Sequence, residues 1–166
     1  MYVLGIDPGL TVTGYGVVAA TGTTMHAVAA GVIRTDADQS VANRLLELAA
    51  DLEAVLGEHP VQAAAVEQVF VNRNLHTATA VGRASGVAIL ACARAGIEVF
   101  EYTPSAVKMA VAGSGTAPKD QVQRMVARRL GLGTEPQPAD AADALAVAIC
   151  HLQAAPLQRA VEGAGP

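Results

Sequence analysis

Four acidic residues stand where their neighbours are almost entirely apolar. Asp7 closes the run Tyr2-Val3-Leu4-Gly5-Ile6, Glu67 closes Ala63-Ala64-Ala65-Val66, and Asp140 and Asp143 interrupt the run from Pro138 to Ile149. Acids grouped in this way suit hard divalent cations, because Mg²⁺ takes oxygen ligands and keeps waters that a phosphate can replace. Two such ions, about 3.5–4 Å apart, activate a water and stabilise the leaving oxygen of a phosphodiester. Each acid alone has a plainer reading. Asp7 can cap the Pro8-Gly9 turn, Glu67 can reach solvent from a strand end, and Asp140 can answer the positive end of a helix. Asp143 fits the plainer reading less well. Its i+3 spacing from Asp140 stacks two like charges on one helix face, in a stretch with no nearby lysine or arginine in sequence, so a metal ion is a candidate for the missing counter-charge. The sequence has no zinc-type His/Cys cluster, no GxSxG and no P-loop.

The elements that must position these acids follow from periodicity. Tyr2 to Asp7, Thr13 to Ala20 and Met25 to Ile33 read as a three-stranded antiparallel meander, turning at Pro8-Gly9 and Thr21-Gly22. Val41, Leu45, Leu48, Leu52 and Val55 step by three and four residues, which predicts an amphipathic helix ending near Gly57. A strand at about Gln62 to Gln68, a helix over Leu75 to Ala95 and a short strand over Ile97 to Phe100 follow. Helices are then expected from Thr103-Pro104 to Ala112, from Pro118 to Leu130 and from Ala139 to about Gln153. The order implies an α/β fold, a mixed sheet covered by helices on both faces. Asp7 and Glu67 fall at the carboxyl ends of central strands, the edge where open α/β sheets place ligands.

The chain of 166 residues suits one domain, expected over residues 1–155, with 156–166 as a flexible tail. Hydrophobic residues make up 52% and aromatic ones 3%, so the core must be aliphatic and built from small side chains. No window approaches the length of a membrane span, and the first residues do not read as a signal peptide. A cytoplasmic protein with no membrane association is therefore expected. Cys92 and Cys150 read as reduced core thiols. The formal net charge of −4 argues against nucleic acid as a partner, yet its distribution does not: residues 70–130 hold eight lysines and arginines against three acids.

Gly5-Ile6-Asp7-Pro8-Gly9, Thr13-Gly14-Tyr15-Gly16-Val17, Val66-Glu67-Gln68-Val69-Phe70 and Ala139-Asp140-Ala141-Ala142-Asp143-Ala144-Leu145-Ala146 together resemble the bacterial Holliday junction resolvases of the RuvC family, over about Tyr2 to His151. The resemblance implies a ribonuclease-H-like fold with a five-stranded mixed sheet flanked by helices. It also implies a homodimer that nicks four-way junction DNA in pairs, two Mg²⁺ per subunit with Mn²⁺ as a substitute, and a branch-migration motor of the RuvA and RuvB type as partner. Carried over by position, Asp7, Glu67, Asp140 and Asp143 match the catalytic, metal-binding acids. Phe70 matches an aromatic at the junction centre, and Lys108 and Lys119 match basic residues on the DNA backbone. Arg73, Asn74 and Arg124 are further DNA-contact candidates, and the helix over Leu75 to Ala95 is compatible with a dimer interface. Two other readings remain open: a ribonuclease-H-like nuclease acting on RNA or repair intermediates, and an actin-like nucleotide-binding protein, for which Asp7-Pro8-Gly9 and Thr11 would form a phosphate hairpin. A junction-binding protein without catalysis is disfavoured by the retention of all four acids.

Overall fold

Successive residues of the first strand point into two different apolar layers, and this alternation sets the architecture. The computed structural model describes residues 1–68 and 75–162. Strands β1 (Tyr2–Asp7), β2 (Val12–Thr21), β3 (Thr24–Arg34), β4 (Ala63–Glu67) and β5 (Glu98–Tyr102) form one sheet in the order β3-β2-β1-β4-β5. The first three strands pair antiparallel, while β4 pairs parallel with both β1 and β5. This is the five-stranded mixed sheet expected from the sequence.

Leu4, Ile6, Val17, Ala64 and Val66 point to one face, where helices α1 (Val41–Glu58) and α2 (Leu75–Arg94) cover them through Leu48, Leu52, Ala84 and Ala88. Ser40 caps α1 by accepting a hydrogen bond from the Asn43 N–H at 3.2 Å, which satisfies one of the free donors of the first turn. Val3, Val18, Ala63 and Ala65 point to the other face, under α3 (Pro104–Ala112), α4 (Lys119–Arg129) and α5 (Ala139–Glu162). Cys92 and Cys150 are free and buried, one in each layer, and burial pushes both thiols up to about 11. Both are inert core thiols, as expected. Among the described residues, no helix is long and apolar enough to cross a membrane.

Two boundaries differ from expectation. Strand β5 lies one to two residues later, because its pairing with β4 carries on until Tyr102 stands opposite Glu67. Helix α5 does not stop near Gln153 but continues to Glu162. Pro156 removes one N–H donor, yet its neighbours from Gln153 to Glu162 are mainly good helix formers, and the backbone remains helical through it.

Helix α5 lies unusually close to the sheet. A Cβ on Gly5 would collide with the carbonyl oxygen of Ala144 and stand 2.7 Å from the Ala148 nitrogen. On Gly14 it would collide with the Asp140 carbonyl, and on Gly16 it would stand 2.8 Å from the Leu145 side chain. On the helix side small residues are frequent: Ala141, Ala142, Ala144, Ala146 and Ala148 are all buried. Gly5→Ala therefore has to displace backbone, not a pliable side chain, and is expected to cost about 1–3 kcal/mol or more. Urea unfolding checks this, and a variant as stable as the parent would contradict the packing described.

Candidate metal and nucleic-acid site

Strands β1 and β4 bring the first two acids together. Ile6 pairs with Val66 in parallel register, so Asp7 and Glu67 leave the same sheet edge one residue later. Asp7 alternates with Val3 and Gly5, and Glu67 with Ala63 and Ala65, which places both acids on the face covered by α5. Gly14 is the register partner of Asp7 across β1 and β2, and the Asp140 backbone packs directly on Gly14. The first two turns of α5 therefore carry Asp140 and Asp143 over the carboxyl ends of β1 and β4. The structure brings the four acids to one edge.

Their mutual repulsion is felt most by Asp7. Burial, then the negative charges of Glu67, Asp143 and Asp140, push its carboxyl up to about 7 from an ordinary 3.8, with Lys119 opposing. Glu67 is also raised, first by burial and then by Asp143, against the pull of Lys108 and Lys119. These are the signs of anionic groups gathered with too little positive charge among them.

Lys119, the first residue of α4, supplies part of what is missing. Its Nζ lies 2.6 Å from Asp143 Oδ2, and this bond holds the ammonium pKa above its usual value. Part of the counter-charge that the α5 sequence lacks thus comes from another helix, beside the metal ion that the sequence offers as a candidate. Among the described residues, two lysines, Lys108 and Lys119, still face four acids. All the donors are carboxylate oxygens, a set that fits a hard divalent cation. In this structure they are neighbours and not a closed ligand shell: among the described residues, no three His, Cys, Asp or Glu side chains meet as a metal-binding group.

Beside the acids is a cavity of about 220 Å³, lined by Glu67 and Asp143 together with Lys108, Lys119, Pro104 and Val107. Lysines 108 and 119 therefore face the carboxylates across one cleft, where an anionic backbone would meet ammonium groups and a cation site together. Thr103 caps α3 by accepting from the Ala106 N–H at 3.1 Å, and Pro104 opens the helix, which fixes the turn that presents Lys108. Arg124 is not in this cleft. It pairs with Asp120 at 2.8 Å on the exposed side of α4. Phe70, Arg73 and Asn74 lie outside the described residues.

Sequence reasoning missed two features. Gly5, Gly14 and Gly16 were visible as parts of motifs, but their role in seating α5 depends on a contact between segments far apart in the chain. Arg44 was also missed. It sits between the apolar positions of α1 and yet is only 9% exposed, with its guanidinium bound to Thr11 and Thr35. Its place one turn before Leu48, on the stripe that continues through Leu52 and Leu56, was the available signal.

Residues 3–151 match the family model described as Crossover junction endodeoxyribonuclease RuvC. A protein of that name from Chloroflexus aggregans is 51% identical over 160 residues, spanning 96% of this chain and 98% of its own length. The structure titled T. thermophilus RuvC in complex with Holliday junction substrate superposes with a TM-score of 0.90 at 38% identity, covering 95% of this chain and 96% of that one. The yeast mitochondrial Holliday junction resolvase Ydc2 aligns over 95% of this chain and 82% of its own with a TM-score of 0.65. At 14% identity it shares the fold alone. With a family model covering nearly the whole chain, and relatives half identical along their full length, the chain belongs to the RuvC family of crossover junction endodeoxyribonucleases.

Proposed function

We propose that the chain is a structure-selective endonuclease that resolves four-way DNA junctions by metal-dependent phosphodiester hydrolysis, with Asp7, Glu67, Asp140 and Asp143 as its catalytic acids. The observation that carries this is the convergence of four carboxylates on one sheet edge, with Asp7 pushed up to about 7 by burial and by the other three. Family membership and the neighbour solved with a Holliday junction supply the substrate.

Two Mg²⁺ or Mn²⁺ ions held by the four acids would supply an activated water and neutralise the leaving oxygen. The chain's own groups do the rest. The rigid seating of α5 fixes two of the acids against the other two. Lys108 and Lys119 attract the phosphodiester into the cleft beside them, and their contribution weakens as salt displaces them. Lys119 serves both sides of this arrangement, since it holds Asp143 and lies at the N-terminus of α4, where free N–H groups favour a phosphate. Phe70 is assigned to the junction centre, and Arg73, Asn74 and Arg124 to further contacts with the DNA.

Paired nicking requires two sites, and hence a homodimer. The outer surface of α1 and α2 is offered for it, because Leu46 is 69% exposed and Leu90 57%, and both line one apolar groove. A branch-migration motor of the RuvA and RuvB type and a cytoplasmic setting complete the proposal. The RNA-cleaving and nucleotide-binding alternatives gain no support from any relative above. Retention of the acids likewise speaks against a binding-only role.

Asp7→Asn is expected to lower junction cleavage in Mg²⁺ by a factor of about 10³ or more, taking the loss of one oxyanion-stabilising group as the scale, while leaving junction affinity in EDTA unchanged. Gel-shift and cleavage assays on one synthetic junction check both halves, and wild-type cutting by the variant would remove Asp7 from the site. The raised Asp7 pKa has a consequence for stability as well. Between its unfolded value of 3.8 and its folded value of about 7, the native chain holds a proton that the unfolded chain has lost. This group's contribution to stability is therefore present at low pH and declines as pH rises through that window. In EDTA, Asp7→Asn should raise the Tm relative to the parent more at pH 8 than at pH 4, and a Tm difference independent of pH would contradict the assignment.

A further inference from the structure

Arg44 is a charged side chain buried without a charged partner. It is 9% exposed, and among the described residues no carboxylate lies within ion-pair distance of it. Its Nε donates to Thr35 Oγ1 at 2.9 Å and its Nη2 to Thr11 Oγ1 at 2.8 Å. Thr35 has already committed its hydroxyl proton to the carbonyl of Leu10 at 2.6 Å, so it can meet the guanidinium only as an acceptor. Burying a cation on two neutral hydroxyls is an expensive way to attach a helix, since apolar residues of similar volume generally do this at least as well. The arrangement calls for another reason.

The partners of Arg44 all belong to one short stretch of chain or to what braces it. Leu10 and Thr11 lie in the turn that leaves Asp7. The Gly9 N–H donates to Thr13 Oγ1 at 3.3 Å, and the same hydroxyl donates to the Gly9 carbonyl at 2.6 Å. The Thr35 N–H donates to the Thr11 carbonyl at 3.2 Å. From Gly9 to Thr13 the turn is thus held by three threonines, and Arg44 ties two of them to α1. Asp7 itself points to the opposite face of the sheet, so nothing from α1 reaches its carboxylate. The backbone of this turn connects the two, beside the apolar layer that Ile6 shares with Leu48 and Leu52.

We propose that Arg44 is a positioning residue for the metal site, which through Thr11 and Thr35 holds the turn after Asp7 in the one geometry that keeps the Asp7 carboxylate in register with Glu67, Asp140 and Asp143. The inference rests on the reading of those four acids as metal ligands. Groups that orient metal ligands from outside the coordination shell typically change metal affinity by about 10–100-fold when removed, and Arg44 acts one step further back, through the chain.

The test is direct Mn²⁺ binding, read from the electron paramagnetic resonance signal of the free ion, on the full chain at 25 °C, with thermal unfolding measured alongside. Thr11 is exposed, so Thr11→Val removes the acceptor of Arg44 Nη2 with little risk to folding, whereas Thr11→Ser keeps it. Thr11→Val and Arg44→Leu are expected to weaken Mn²⁺ binding by about tenfold or more, and Thr11→Ser to bind as the parent does. If Arg44→Leu does not fold, the Thr11 pair decides alone. Parental affinity in Thr11→Val, or equal losses in Thr11→Val and Thr11→Ser, overturns the positioning role. Asp7→Asn separates the two levels: if it loses Mn²⁺ binding while Thr11→Val does not, only the role of Arg44 fails, and if Asp7→Asn binds as the parent does, the metal-site reading fails with it.

Discussion

The structure depends on how closely one helix approaches one pair of strands. Gly5, Gly14 and Gly16 have no side chain on the face where α5 lies, and Gly5 and Gly14 meet the α5 backbone at Ala144, Ala148 and Asp140. Backbone therefore meets backbone, at a distance that any Cβ on the strands would prevent. Close packing of this kind leaves few alternative arrangements. Asp140 and Asp143 ride on the end of that helix, so the position of half the acids relative to the other half is decided by three glycines.

This packing forces an electrostatic conflict that the fold does not relieve alone. Four carboxylates share one edge, and one ammonium, Lys119, is bonded to one of them. The conflict falls on Asp7, whose carboxyl is raised first by its own burial and then by all three of the others. A site that binds divalent cations needs such an imbalance, because carboxylates fully satisfied by lysines would have little affinity left for metal. The same cleft is lined by Lys108 and Lys119, which in the proposed function meet the phosphodiester. The bulk charge of −4 averages over this cleft, in which acids and lysines stand side by side, and it is a poor guide to whether the cleft accepts DNA.

Much of this was legible in the chain before any coordinates. The order of strands and helices, the two strand-end acids and the i+3 pair on the last helix all follow from local pattern, because each is written in a few consecutive residues. What was not legible depends on distance along the chain. Lys119 as the partner of Asp143, the glycine seat of α5 and the bond from Arg44 to Thr11 each join segments separated by two dozen or more residues, and no periodicity reports them. The continuation of α5 to Glu162 was missed for another reason: Pro156 signals a stop locally, but the helix formers around it outweigh that signal.

The central claim is that these acids cut DNA at a four-way junction with the help of a divalent cation. It is tested most directly by offering the protein a synthetic four-way junction, a linear duplex and an RNA–DNA hybrid, each with Mg²⁺ and with EDTA. The account predicts that only the junction with Mg²⁺ is cut, and that it resolves into nicked duplexes through paired incisions in opposite strands. Cleavage of the hybrid in preference to the junction, or junction cleavage undiminished in EDTA, would contradict it.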